Sequence, residues 1–179
     1  MYPLAHAVFG WAFVILAVQP LGGALDVGVD AIGWLGIAWG WHQLMVVEAS
    51  FASARAVALT GAGAAVLRLL PGPELLVVTA ELVAVAVVAL GVSLGAAALL
   101  RAAEENGAPL VAAQCSFLRW AAVGVLVIEV SAALGSLAVV QLTGLASSAV
   151  LMGLGLAAYF IVLQLVSVGR PWLRVMGRR

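Results

Sequence analysis

Six apolar runs, at residues 4–18, 31–47, 51–70, 75–100, 117–140 and 146–168, take up most of this chain. A helix crosses the hydrocarbon core of a bilayer with about 20 apolar residues, and most of the runs are near that length. Hydrocarbon offers no hydrogen-bond partners, so a crossing segment must satisfy its own backbone, as a helix does. The runs predict an all-α polytopic membrane protein: a bundle of six transmembrane helices forming one domain over residues 1–179. Composition agrees, with 65% hydrophobic and 9% charged residues and a mean hydropathy of +1.21, more apolar than soluble domains. Too little chain lies between the runs for a separate soluble domain.

Orientation follows from arginine, the sole basic residue besides histidine. With the N-terminus cytoplasmic, Arg55, Arg101, Arg119, Arg170, Arg174, Arg178 and Arg179 fall inside and only Arg68 falls outside. Cytoplasmic loops retain an excess of basic residues, so both termini are expected inside. The N-terminus has no basic stretch or cleavage pattern of a removable signal peptide, so the first run is expected to remain as a helix. Pro20, Gly22 and Gly23 close that run, and Pro71, Gly72 and Pro73 make an outer turn. Gly107 ends the fourth helix, and the fifth is expected to start at Pro109, since proline suits a first helical position. Gly36 with Gly40, and Gly91 with Gly95, form GxxxG pairs that let helices approach closely, for internal packing or a dimer contact.

A few polar residues fall inside the apolar runs. Glu129 is at the centre of the fifth, and alignment of span midpoints puts Trp11, Thr60 and Tyr159 at similar depth. An acidic residue at a helix centre costs about 2.5 to 3.5 kcal/mol on insertion scales, so Glu129 is either a proton-carrying site or hydrogen-bonding glue between helices. Glu81 and Arg68 come out level across the outer turn and are expected to pair as a latch. Arg68 and Arg55 lie near the ends of the third run, where long side chains reach the interface. His42, beside Trp41 at the inner boundary, and His6 lack a third ligand at helical spacing, so no metal site is expected. One or both of Asp26 and Asp30 are placed to cap the second helix at the outer surface, with an outward cation site built from them and Glu74 as the alternative. Trp34, Trp39 and Trp41 read as interface belt and packing. The end of the chain, Arg170 to Arg179, reads as a topology signal or a contact with anionic lipid.

The chain carries no HExxH, GxSxG or Walker-type motif and no nucleophile beside an identifiable base. No catalytic residue, cofactor or nucleic-acid partner is expected, and the single Cys115 excludes an intrachain disulfide. The stretch Leu25 to Gly40, with Asp26, Asp30, Gly33 and Trp34, resembles a signature of small, functionally uncharacterised bacterial multi-pass membrane proteins. The stretch Ala103 to Cys115 resembles their Ala-Glu-rich connector. The resemblance implies a bacterial cytoplasmic (inner) membrane location and no particular activity. The leading expectation is a non-enzymatic component surrounded by membrane lipids that packs with itself or a membrane-protein partner. The alternatives are a small proton-linked or cation permease using Glu129, with Asp26, Asp30 and Glu81 on the outer approach, and an intramembrane lipid-acting enzyme using Glu129 or His42.

Overall fold

The computed structural model describes residues 3–16, 24–67 and 74–135, and in the last run residues 153, 156, 157, 159–161 and 164. All regular structure among the described residues is helical. The continuous elements are α1 (Pro3–Leu16), α2 (Ala24–Leu44), α3 (Phe51–Leu67), α4 (Glu74–Glu105) and α5 (Pro109–Gly135). Two stretches, Ala86–Glu105 and Pro109–Ile128, are long and apolar enough to cross a membrane, and Ala5–Val14 and Phe51–Leu67 are shorter apolar helices. The six-span count therefore goes beyond what these elements show by length and composition. The turns expected at Pro20 to Gly23 and Pro71 to Pro73, and the tail from Arg170, lie outside the described residues.

Local chemistry fixes the two described connections. After α4, Gly107 adopts φ 64°, Ala108 N–H donates to Ala103 O at 2.9 Å, and Gly107 N–H donates to Glu104 O at 3.2 Å. These two bonds are the Schellman ending, which uses a left-handed residue to satisfy carbonyls left over at a helix C-terminus. Asn106 Nδ2 donates to the further carbonyl of Ala102 at 2.8 Å. Pro109 then opens α5 as expected, with no N–H to leave unpaired. Between α2 and α3, the backbone of Ser50 donates to Glu48 Oε1 at 3.1 Å and that of Phe51 to Glu48 O at 3.2 Å. One acidic residue thus satisfies donors at the start of α3.

Each helix packs on the one before it. Glu48 Oε1 lies 4.0 Å from the Arg101 guanidinium, which brings the α2–α3 and α4–α5 connections to the same end of the bundle. Where α1 crosses α2, glycine sets the separation. A Cβ on Gly10 would overlap the carbonyl oxygen of Gly33, and one on Gly33 would lie 2.8 Å from Gly10 O and 2.9 Å from Val14 N. Gly36 also faces α1, with Gly10 Cα 3.3 Å from where its Cβ would be. Backbone cannot yield as a side chain can, so alanine at Gly10 or Gly33 forces the helices apart.

Indole rings fill the space between α2 and its other neighbours. Trp34 meets Trp11 edge to face, with centroids 5.8 Å apart, and its ring lies against Gly61 of α3 and Gly91 of α4. Trp41, seven residues on and so on the same side of α2, stacks on Phe51 with centroids 5.2 Å apart and lies against Gly95. Trp11, Trp34 and Trp41 are all buried, whereas Trp39 is exposed. The two α4 glycines of the Gly91–Gly95 pair thus seat indoles of the same chain, which is internal packing.

Candidate functional site

The helices converge on a small apolar cavity of about 20 Å³, bounded by Trp11, Trp41, Gly95 and Cys115, with Leu118 and Ile161 beside them. That is about the room one water molecule needs. Its walls come from α1, α2, α4, α5 and residue 161 of the last run. Cys115 is fully buried and carries no disulfide. Trp41 Nε1 is buried without a hydrogen-bond partner among the described residues. Apart from the Cys115 thiol and the indole N–H groups, the described lining is apolar, a surface suited to packing.

Most of the charged residues whose side chains are described lie at the end of the bundle that carries the two connections. Glu48, Arg55, Arg101, Glu104, Glu105 and Arg119 lie toward that end, while Asp30 lies toward the other. At Glu48, the Ser50 hydroxyl and then the Ser50 backbone N–H hold the carboxyl below the usual range, with a further contribution from the Arg101 charge. Of the two Ser50 groups the backbone N–H makes the formed bond, at 3.1 Å. The hydroxyl is close but reaches no hydrogen-bond geometry, and it is buried without a partner. His6 Nδ1 is likewise buried and unpartnered among the described residues.

The residues singled out from sequence disperse over this framework. Thr60 is exposed and its hydroxyl donates to Ala56 O of its own helix at 3.1 Å, so it turns away from the interior. Tyr159 is half-buried against the core and meets Phe160 edge to face at 5.5 Å. Trp11 is committed to Trp34. Glu129 lies on α5, and its side chain is outside the described residues. The same holds for Glu81 on α4, while Arg68 is outside them altogether, so the Arg68–Glu81 pair and the Glu129 cluster fall beyond what is described. His42 is exposed, 5.8 Å from the Trp39 ring, and no group of three metal-binding side chains occurs among the described residues.

The two aspartates sit at different positions along the start of α2. Helix α2 begins at Ala24, ahead of residue 31 where the apolar run starts, so Asp26 is in its first turn and Asp30 in its second. Only the first turn leaves N–H groups unsatisfied, so Asp30 has no capping role there. It is half-buried and engaged in an interaction of its own. Asp26 remains where a carboxylate favours the helix dipole, with its side chain outside the described residues.

The glycine-seated tryptophans and the Glu48 clasp are the features that sequence reading missed. Gly10 and Gly61 have no glycine partner four residues away, and only the lateral arrangement of helices reveals what each one meets. Compared with protein-family models, with curated proteins and with solved structures, the chain matches none.

Proposed function

We propose that this chain is a multi-pass protein of a bacterial cytoplasmic membrane. Its six helices span the bilayer, both termini are cytoplasmic, and it acts without catalysis by packing against a second copy or another membrane protein. One observation carries the membrane reading: large apolar side chains stand outward around the bundle. Phe9, Ile32, Val127, Ile128 and Phe160 are each more than half exposed. Soluble monomers rarely present contiguous apolar patches beyond a few hundred Å². In lipid the same faces need no further cover.

The scaffold reading is supported by how the interior is used. Three of the six tryptophans and six glycines are spent on contacts between helices, leaving an apolar cavity of about 20 Å³. Three measurements test the reading. The full chain should stay in the membrane pellet after alkaline carbonate extraction, and a reporter fused after Arg179 should be active only in the cytoplasm. Mild-detergent extracts of native membrane should contain it as an assembly larger than one chain. Release by carbonate would refute the membrane assignment, and a strictly monomeric extract would refute the scaffold role.

A further inference from the structure

A ring of outward side chains stands at the level of Trp41. Trp41, Gly95 and Leu118 bound the same cavity, so Arg119 and Trp120 on α5 stand level with Trp39 and His42 on α2. The hairpin agrees, because Gly95 and Arg119 are each twelve residues from Gly107. Phe51 stacks on Trp41, which puts Arg55, one turn along α3, at nearly the same height. Trp39, His42 and Trp120 are exposed, and Arg55 and Arg119 are half-buried. The Arg119 guanidinium carbon lies 5.5 Å from the centre of the Trp120 ring.

Depth along α5 gives this ring its meaning. On the connection side of Trp120 the exposed positions include Arg101, Glu104, Glu105, Asn106 and Gln114, with Leu110 and Phe117 among them. Beyond Trp120, as far as residue 128, the exposed positions of α5 are Gly124, Val127 and Ile128, none of them polar. Trp120 therefore marks the passage from a mixed to an apolar surface, the position aromatic residues favour at a membrane boundary. Among the described residues, charge at this height is unbalanced. Arg55 and Arg119 form no ion pair among the described residues. Of the acids at this end, Glu48 is engaged by Ser50 and Arg101. Glu104 and Glu105 lie in the last turn of α4, about 14 Å nearer the connection than Gly95 at 1.5 Å per residue. A planar guanidinium held over an indole still presents N–H donors in the geometry that phosphate accepts.

We propose that this ring docks the headgroups of anionic phospholipids, with Arg119 over Trp120 as the main phosphate contact and Arg55 as a second. The proposal rests on the membrane reading above. The test uses the full chain in phosphatidylcholine vesicles doped with spin-labelled phosphatidylglycerol or spin-labelled phosphatidylcholine, reading the fraction of label immobilised at the protein boundary. Wild type should prefer phosphatidylglycerol, and the preference should fall as salt rises. Arg119→Gln should lower it about fivefold and Arg55→Gln in the same chain should lower it again, since each basic residue near an anionic surface contributes about that factor. Arg101→Gln, whose partner is Glu48, should leave it near wild type.

Equal immobilisation of the two lipids by wild type would overturn the proposal, and so would an unchanged preference in Arg119→Gln. Displacement of the labelled phosphatidylglycerol by inorganic phosphate alone would also overturn it, by showing a site for free phosphate. Should Arg119→Gln fail to reconstitute, the lipid preference of wild type and its salt dependence decide the matter. Failure of the wild-type chain to enter either vesicle refutes the membrane reading itself, a result distinct from insertion without headgroup preference.

Discussion

Gly61 lies so close beneath Trp34 that a Cβ at that position would be 2.6 Å from Cδ2 and 2.7 Å from Cε2 of the indole. The ring cannot retreat freely, because Trp11 also packs on it edge to face at 5.8 Å and Gly91 underlies its far edge. Gly61→Ala should therefore destabilise the fold by about 1–3 kcal/mol, the usual cost of overpacking. Gly63, two residues on in α3, has nothing within 4 Å of an added Cβ. Gly63→Ala should be neutral or stabilising by up to about 1 kcal/mol through helix propensity. Thermal unfolding of both variants in the same detergent gives the comparison.

The α1–α2 crossing should be less forgiving. Gly10 faces backbone atoms of α2, with Ile37 N 2.6 Å from the position of a Cβ. Gly10→Ala should lose more stability than Gly61→Ala, since separating two backbones also disturbs the buried contacts beside the crossing. The readout is the yield of folded protein and its unfolding midpoint; a midpoint equal to wild type would show that the helices stand further apart than described.

Much of this arrangement is legible in sequence, and its limits are physical. Gly107 and Pro109 declare the α4–α5 hairpin because one tolerates a left-handed φ and the other suits a helix start. The start of α2 is not legible from hydropathy. Asp26, Gly28 and Asp30 are unsuited to lipid, yet the helix continues through them, since hydropathy reports affinity for hydrocarbon rather than helicity. Depth alignment has a similar limit. It puts Thr60 near the level of Glu129 but carries no information about direction around the helix, and Thr60 points outward. The Gly91–Gly95 spacing signals close approach, but the approaching groups are indoles of α2 rather than another backbone.

Glu48 predicts a pH dependence with a definite sign. Its folded carboxyl titrates below the ordinary value of 4.5, held there first by Ser50 and then by the Arg101 charge. Its contribution to stability is complete above the unfolded value and is lost as pH falls through the lowered folded value. Glu48→Gln should flatten the acid side of the stability profile and leave its alkaline side parallel to wild type. Unfolding midpoints across that acid range provide the measurement, and an acid slope retained in the variant would assign the dependence to other carboxyls.

The hairpin ending gives a prediction about backbone conformation alone. Gly107 has φ 64° and open space around a Cβ, so Gly107→Ala should cost about 1–2 kcal/mol from the left-handed conformation rather than from crowding. Gly107→Asn should recover part of that loss, since asparagine tolerates the region better than alanine. Chemical or thermal unfolding of the two variants checks the order.

Accessibility of a nitroxide at position 128 tests most directly whether the outward apolar faces lie in lipid. Ile128 is 59% exposed and Glu105, at the end of α4, is exposed as well. Cysteine placed at each position and spin-labelled in phospholipid vesicles, in a chain whose own Cys115 is buried, reports collisions with dissolved oxygen and with a water-soluble nickel chelate. Embedding predicts that the label at 128 is reached by oxygen and shielded from nickel, while the label at 105 is reached by nickel. Free access of nickel to position 128 would contradict a bundle immersed in the bilayer.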